Sequence, residues 1–405
     1  MKALRNLLDR AKPTFSPGGK LQAFHSVFDG FETFLFTPGS TSQSGTHIHD
    51  GLDSKRVMTI VIIALLPSLL FGMYNVGYQN MLAAGAYFPF WQLFLYGFLA
   101  MLPRLVVSYA VGLGIEFVVA QWKHEEIQEG FLVSGMLIPL ICPIETPLWM
   151  LAVATAFSVI FAKEVFGGTG FNIFNVALIT RAFLFFAYPA KMSGDQVFVS
   201  TGSILGLGKD VTFADGISGA TPLGQIAGYT GGQLQLHNIV GEPLSTLDAF
   251  IGLIPGSVGE TSTLCILIGA IILLFSGIAS WRIMLSVFAG GLFMGWLATT
   301  FATPTYPASY LTPLDQIMYG GFAFAAVFMA TDPVTGARTN IGKYIYGFLI
   351  GVIAIIIRVY NNGYPEGAML AVLLMNAFAP LIDYCVVQAN IKRRMNRVTS
   401  RQIEN

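Results

Sequence analysis

The sequence predicts an all-α polytopic membrane protein of about ten transmembrane helices, in two five-helix halves that include short broken helices. The first reason is composition: 54% of the 405 residues are hydrophobic and 11% are charged, whereas soluble domains carry about 25% charged residues. The second is that apolar runs free of Lys and Arg recur along nearly the whole chain, as at 57–73, 264–278 and 367–382. With their flanking residues, these runs are about long enough to cross a bilayer core of roughly 30 Å. Their recurrence argues against buried helices of a large soluble protein.

Hydropathy divides the apolar part of the chain into ten candidate spans. They cover approximately residues 57–77, 91–121, 130–143, 147–163, 171–188, 262–280, 283–301, 314–330, 344–358 and 366–386. The second span is overlong and holds Pro103 and Arg104, so we expect it to be tilted or broken. The third is too short to cross a bilayer, and it is typical of a half-helix or re-entrant segment.

The Lys and Arg residues predict the orientation, because cytoplasmic loops carry an excess of both. Seven of them lie in the first 56 residues and five lie beyond residue 391, whereas the loops on the other side hold only Lys191 and Lys209, with Arg358 at the edge of a span. Both termini are therefore predicted to be cytoplasmic. The predicted units are a cytoplasmic N-terminal segment, a first helical half, an extracytoplasmic loop, a second helical half and a basic cytoplasmic tail. These units cover residues 1–55, 56–188, 189–261, 262–387 and 388–405.

A weak internal symmetry supports the two halves. Residues 143–147 are followed by an apolar span, a basic residue, a glycine-rich patch and a further span, and residues 332–335 are followed by the same order of features. Paired broken segments at matching positions are typical of inverted-repeat transporters near their central site. The symmetry lies in the order of features and not in residue identity, so it is consistent with an inverted repeat without requiring one.

Composition and cysteine spacing argue against several kinds of partner. The formal net charge is zero, so nothing indicates nucleic acid, and the partner that the apolar spans require is membrane lipid. Cys142, Cys265 and Cys385 stand singly, and without a C-x-x-C pair we expect no iron–sulfur or zinc site built by this chain alone. His47 and His49 share a face only in an extended segment, and no third metal ligand is evident nearby.

The most informative stretch, residues 215–222, reads Asp-Gly-Ile-Ser-Gly-Ala-Thr-Pro. Glycine and serine permit tight backbone geometry, and Pro222 favours an extended conformation of Thr221. An ordinary surface turn is one interpretation of this pattern. A hydroxyl among small residues is also accessible to a modifying enzyme, which is the second interpretation.

The same stretch resembles the recognition sequence of flavin transferases, which join the phosphate of FMN to a threonine hydroxyl. The match covers Asp215, Ser218, Gly219, Ala220 and Thr221. The resemblance implies a covalent FMN phosphoester on Thr221, a recognition motif formed by the other four residues, and a flavin transferase as a partner. Transferases of that family act outside the cytoplasm, where the Lys and Arg distribution independently places this loop.

Four further segments extend the resemblance over essentially the whole chain. They are residues 163–170, 181–189, 330–335 and 388–394. Together they resemble the B-subunit family of the bacterial sodium-translocating NADH:quinone oxidoreductase. The flavinylated membrane subunit of the ferredoxin:NAD oxidoreductase complex shares the flavinylation and Thr-Asp-Pro motifs. That subunit lacks an N-terminal extension as long as the one in this sequence, so the B-subunit family fits better.

This resemblance implies a translocase and oxidoreductase of the bacterial inner (cytoplasmic) membrane. NADH is oxidised on a partner flavoprotein, and electrons pass through iron–sulfur-bearing membrane subunits and a second flavinylated subunit to the FMN of this chain. They continue through a non-covalent riboflavin to ubiquinone, and the redox reactions drive sodium export. Two alternatives remain, namely a flavinylated subunit of a ferredoxin:NAD oxidoreductase complex and a solute channel or transporter without flavin.

Acidic residues within or beside the spans are the candidates for the sodium path. A carboxylate at the bilayer centre costs roughly 2.5–3.5 kcal/mol, so it commonly faces a partner or a cavity. Asp332 precedes a proline, where an interrupted helix would free carbonyl oxygens for a cation. Glu129 precedes the short third span, and Asp383 lies near the cytoplasmic end of the last span. For each, the alternative is a solvated or ion-paired carboxylate, and the resemblance favours all three as sodium ligands.

Overall fold

The chain is described by a computed structural model over residues 2–16, 54–123, 130–193, 197–211, 219–229, 235–361 and 363–403, and at eight single positions between residues 19 and 45. Within these residues the regular elements are helices, together with two isolated β-bridges. The candidate residues Glu129, Asp215 and Ser218, and the pair His47 and His49, lie outside the described residues.

The described helices are, in chain order, α1 (Lys2–Phe15), α2 (Ser54–Ala84), α3 (Phe90–Lys123), α4 (Phe131–Ile141), α5 (Leu148–Ala162), α6 (Val176–Ala187), α7 (Pro189–Met192), α8 (Pro222–Ala227), α9 (Thr246–Ile251), α10 (Thr263–Phe275), α11 (Trp281–Thr300), α12 (Pro313–Met318), α13 (Phe322–Phe324), α14 (Asn340–Tyr360) and α15 (Ala368–Ile403). Six of them, α2, α3, α5, α11, α14 and α15, are long and apolar enough to cross a membrane. Helices α4, α6 and α10 are apolar but shorter. The polytopic helical class is therefore confirmed, and the number of ten passages stays a prediction.

The second predicted span is one continuous helix. Helix α3 runs for 34 residues with Pro103 inside it, although proline removes a backbone donor from a helix. The Arg104 guanidinium donates to the Ala100 carbonyl at 2.6 Å, one turn earlier. This bond gives the charged group an acceptor within a largely apolar helix. Of the two expectations for this span, the continuous helix excludes a break at Pro103, and a tilt stays a prediction.

The third predicted span is a short helix, as expected. Helix α4 has 11 residues, which at 1.5 Å per residue gives about 16 Å, half of a bilayer core. Its residues from Gly135 to Ile141 are all buried. Such a short segment is tolerated at membrane depth when protein surrounds it and satisfies its backbone.

The eighth predicted span, 314–330, is interrupted instead of continuous. Helix α12 ends at Met318, and the chain becomes helical again only at α13, which passes into a π-helical stretch over Ala325–Met329. Gly320 and Gly321 form the turn between them, with φ of +65° and +68°, a conformation that a Cβ disfavours. Every residue from 322 to 330 is buried. The interrupted segment therefore lies in the core of the protein, where its free backbone groups are shielded from lipid.

Glycines allow helices α11 and α14 to pack closely. A Cβ at Gly290 would overlap the Phe348 carbonyl oxygen, and a Cβ at Gly351 would overlap that of Val287. Close approach of backbones through small residues is a usual way to pack helices in membranes, where burial of apolar surface supplies no driving force. This packing holds α14 against the core, and α14 carries residues of both sites described below.

Candidate functional sites

The described part of the flavinylation motif is Gly219, Ala220 and Thr221. Thr221 is the N-cap of α8, with φ −62° and ψ 158°, which is the extended conformation expected before a proline. Its Oγ1 accepts a hydrogen bond from Gly224 N at 3.1 Å. Gln225 Nε2 donates to the Ala220 carbonyl at 3.2 Å. The hydroxyl oxygen is thus held in place by a backbone donor, and its own proton takes no part in that bond.

Two cavities meet at Thr221. The first has about 360 Å³ and the second about 470 Å³, each including its open mouth. The second has aromatic walls that include Phe185 and Tyr364, whose rings meet edge to face with centroids 4.5 Å apart. Among the described residues, Thr221 and Glu366 are the two that line both cavities.

A cluster of charged side chains, which we call the Arg181 cluster, lies in the walls of these cavities. It consists of Arg181, Glu260 and Glu366. The guanidinium contacts Glu260 Oε1 through Nη1 at 2.6 Å and Glu366 Oε2 through Nη2. The Arg181 and Glu260 side chains are buried, and that of Glu366 is 19% exposed. With all three groups ionised, the cluster carries one uncompensated negative charge.

Arg358 fixes the loops around the cavities. Its side chain is fully buried. The Arg358 Nε donates to Pro365 O at 3.2 Å, and Nη1 donates to Gln316 O. Its Nη2 donates to Tyr319 O at 3.0 Å and to Glu366 O at 3.1 Å. A planar guanidinium with five N–H groups can satisfy such a set of carbonyls, whereas a lysine ammonium has only three. The sequence placed this arginine only at the edge of a span.

These features fit a flavin tethered through its phosphate to Thr221. A flavin linked through its phosphate to Thr221 Oγ1 would have a cavity on either side of the attachment point. The aromatic walls of the second cavity suit the planar flavin ring. A Cβ at Gly224 would stand 3.3 Å from Oγ1, so glycine at this position keeps space beside the acceptor. Flavin attachment itself stays a prediction.

A third and larger cavity contains Asp332. It has about 840 Å³ including its open mouth and lies between the first two turns of α2 and α4, the start of α6 and residues 328–334. Asp332 Oδ1 accepts from Val334 N at 3.0 Å, and Oδ2 accepts from Thr335 Oγ1 at 3.1 Å and Asn175 Nδ2 at 3.4 Å. All three donors are neutral groups. The carboxylate is therefore held in position without a charged partner among the described residues.

A buried polar chain continues from Asp332 into the core. Asn175, the N-cap of α6, lies next to the amide of Asn376 on α15. The Asn376 amide is oriented so that its nitrogen donates to Val372 O and lies 2.7 Å from the Tyr346 hydroxyl. In this orientation the Asn376 amide oxygen accepts from Asn175 N at 3.2 Å. Asn376 and Tyr346 have no exposed surface. Helices α6, α14 and α15 are thus connected through hydrogen bonds to the cavity that holds Asp332.

The other two predicted sodium ligands have different settings. Asp383 Oδ1 accepts from Thr339 N at 2.9 Å and from Thr339 Oγ1 at 2.6 Å, and its Oδ2 accepts from Arg338 N at 2.7 Å. Thr339 is the N-cap of α14, so this carboxylate stabilises the start of a helix. The structure does not place Asp383 in the wall of the third cavity, whereas Gly130, the neighbour of Glu129, is in that wall.

Glu116 is a buried carboxylate that the sequence interpretation missed. It lies inside α3 and pairs with Lys163, and the two side chains are 4% and 5% exposed. Lys163 also lines the third cavity. The signal was present in the sequence, because a single acid in a long apolar helix requires a partner.

The fold and the sites together define a polytopic helical membrane protein, with a threonine in the walls of two cavities and a separate cavity in which neutral donors hold a carboxylate. The chain belongs to the NQR2, RnfD, RnfE family, whose sequence model matches residues 41–392. That match spans the residues of all three cavities.

Several relatives are similar over nearly their whole length. The Na(+)-translocating NADH-quinone reductase B-subunit of Chromohalobacter salexigens is 44% identical, and the alignment covers 97% of this chain and 96% of the relative. Those of Pseudomonas paraeruginosa and Klebsiella pneumoniae are 42% identical, with 97% of this chain and 99% of each relative covered. The assignment to the B-subunit family, made from the sequence motifs, is therefore confirmed.

Proposed function

We propose that this chain is the membrane subunit of a redox-driven sodium pump, in which electrons pass from covalent FMN on Thr221 through riboflavin to ubiquinone and drive sodium export. A bound flavin supplies one-electron transfer, which the side chains around the cavities do not offer. The observation that carries the proposal is the place of Thr221, the acceptor of the flavinylation motif, at the junction of two cavities. The names of the relatives add the NADH-quinone reductase class.

The proposal includes the topology predicted from the sequence. The protein lies in the bacterial inner membrane, both termini are cytoplasmic, and ten passages form two five-helix halves related as inverted repeats. In support, each half contains a short or interrupted helical segment, α4 in the first and α12 with α13 in the second. The loop 189–261, which carries Thr221, faces away from the cytoplasm, where a flavin transferase reaches it.

We place the sodium path at the cavity that holds Asp332. Moving a cation against a membrane potential costs about 2.3 kcal/mol per charge per 100 mV, so the path needs a site that binds and releases the ion. The neutral donors around Asp332 position its carboxylate but leave its charge to be balanced by a cation. Glu129 belongs to the proposal because its neighbour Gly130 lines this cavity. For Asp383 the hydrogen bonds favour a capping role.

The partners in this proposal are the other subunits of the reductase. They include an NADH-oxidising flavoprotein, a second flavinylated subunit and iron–sulfur-bearing membrane subunits. The relatives support this, since each is named as one lettered subunit of a reductase. The alternative of a ferredoxin-linked complex rests on the flavinylation and Thr-Asp-Pro motifs, which resemble those of that complex's flavinylated membrane subunit. The electron donor of the purified complex separates the two.

The test is in-gel flavin fluorescence after denaturation, with each variant co-expressed with a flavin transferase. We expect a fluorescent wild-type band and a dark band for Thr221→Ala, because alanine has no hydroxyl to esterify. The matched control is Thr312→Ala. Thr312 is also the N-cap of a six-residue helix that begins with proline, with φ −62° and ψ 155°, but it lacks the motif.

A fluorescent Thr312→Ala band beside a dark Thr221→Ala band assigns the flavin to Thr221, since both variants lose an N-cap worth about 0.5–2 kcal/mol. A dark wild-type band in the presence of active transferase would contradict the proposal. That result would favour the solute channel or transporter.

A further inference from the structure

We propose that Glu366 sets the reduction potential of the flavin carried on Thr221. This inference rests on the proposed function and goes beyond it, since it gives a defined electrostatic role to a residue outside the flavinylation motif. Its starting point is that Glu366 shares with Thr221 the walls of both cavities. Whichever cavity receives the flavin ring, this carboxylate lies in the wall beside it.

The charge of Glu366 is not cancelled by its partner. Arg181 is shared between Glu260 and Glu366. Burial raises the pKa of Glu260 to about 7, so above that pH one positive charge faces two negative charges. Within a largely buried cluster, charge interactions are several times stronger than in water, because the effective dielectric constant is lower. The Arg181 cluster therefore presents a net negative charge to whatever occupies the cavities.

The position of Glu366 is fixed by contacts on several sides. Its Oε2 contacts Arg181 and accepts from the Tyr364 hydroxyl at 3.4 Å, and its backbone carbonyl accepts from Arg358 at 3.1 Å. Glu366 Oε1 takes part in none of these contacts. A charge held in this way does not reorient when the flavin changes oxidation state, so its effect persists as an electrostatic bias on the reaction.

The sign of the effect follows from the charge that an electron adds. When a one-electron donor is oxidised and the flavin is reduced, the ring gains one negative charge unless a proton follows. A net negative cluster beside the ring disfavours that change and lowers the reduction potential. Removal of the Glu366 charge leaves Arg181 and Glu260 as a neutral pair, so the potential rises.

The test is an optical redox titration of the full-length flavinylated chain in detergent, with dithionite as the reductant. Subtraction of the Thr221→Ala spectrum isolates the covalent flavin. For Glu366→Gln we expect about a tenfold shift of the one-electron equilibrium towards the reduced flavin, about 59 mV. Glu366→Asp retains the charge and should stay near the wild type. Glu242→Gln removes an exposed carboxylate in the loop after the motif, and it should shift nothing because solvent screens that charge.

Three outcomes are informative. A fluorescent Glu366→Gln band with an unchanged potential overturns the inference and leaves the flavin assignment intact, whereas a dark wild-type band overturns the proposed function itself. If Glu366→Gln fails to accumulate, Glu260→Gln is the replacement variant. It also removes one carboxylate charge from the Arg181 cluster, in this case from the wall of the first cavity. An unchanged potential in Glu260→Gln would then contradict a role for the cluster charge.

Discussion

The two candidate sites differ in how their carboxylates are paired. Beside Thr221, the carboxylates of Glu260 and Glu366 share a buried arginine and form a fixed ion cluster. In the third cavity, Asp332 is held by neutral donors, and Lys163, a cation in the same wall, is engaged by Glu116. The first arrangement pairs its carboxylates with a cation of the protein, whereas the second leaves one carboxylate without a charged partner among the described residues.

This difference matches the two tasks of the proposed pump. A cofactor site benefits from charges that stay in place while the electron arrives, because fixed groups need no reorganisation. An ion path requires the opposite, a carboxylate whose charge balance changes each time a cation binds or leaves. The cost of an unpaired carboxylate is roughly 2.5–3.5 kcal/mol at the bilayer centre, and in the proposed pump a bound sodium ion offsets such a cost at Asp332.

The largest expected effect concerns the fixed cluster. Arg181→Met leaves Glu260 and Glu366 without their shared cation, and breaking a buried pair in this way costs about 3–5 kcal/mol. We expect a large loss of unfolding free energy, measured by denaturant titration in detergent. The control is Lys123→Met, which removes a partly exposed partner of Glu164 at 3.8 Å and should cost at most about 1 kcal/mol. Equal losses of unfolding free energy in the two variants would show that the Arg181 cluster contributes no more to stability than the partly exposed pair of Lys123 and Glu164.

A smaller effect is expected at the third cavity. Asp332→Asn keeps a side chain of the same size but has no charge to balance a cation. The sodium concentration that half-maximally stimulates quinone reduction should rise at least about tenfold, equivalent to about 1.4 kcal/mol, while the flavin band stays fluorescent. Asp383→Asn is the matched control and should lower the melting temperature without a change in sodium dependence. Normal sodium dependence in Asp332→Asn removes this residue from the path.

The smallest effect should come from the hydroxyl that positions Asp332. Thr335→Val deletes the donor to Asp332 Oδ2, a bond of 3.1 Å whose loss costs about 1 kcal/mol. We expect about a fivefold rise in the half-maximal sodium concentration. Thr335→Ser retains the hydroxyl and should stay within about twofold of the wild type. If valine and serine behave alike, the hydroxyl does not contribute to the site.

The sequence predicted the helical class and several local features correctly. The apolar runs mark the six long helices, the shortness of 130–143 anticipates α4, and Pro222 anticipates the extended Thr221. These successes share a cause: hydropathy, helix length and the conformation before a proline depend on residues that are neighbours in the chain. The interruption of 314–330 at two glycines was missed, because the apolar run continues across the turn.

Only the tertiary structure decided which charges meet. Arg181 lies 79 residues from Glu260 and 185 residues from Glu366, and Asn175 lies 157 residues from Asp332. No periodicity relates such positions, because the pairing depends on how separate helices pack and not on spacing within one of them. The sequence by itself therefore determined that this is a membrane protein, and it marked a candidate acceptor threonine and candidate carboxylates. The packing determined that neutral donors hold one carboxylate in a cavity while two others share an arginine beside Thr221.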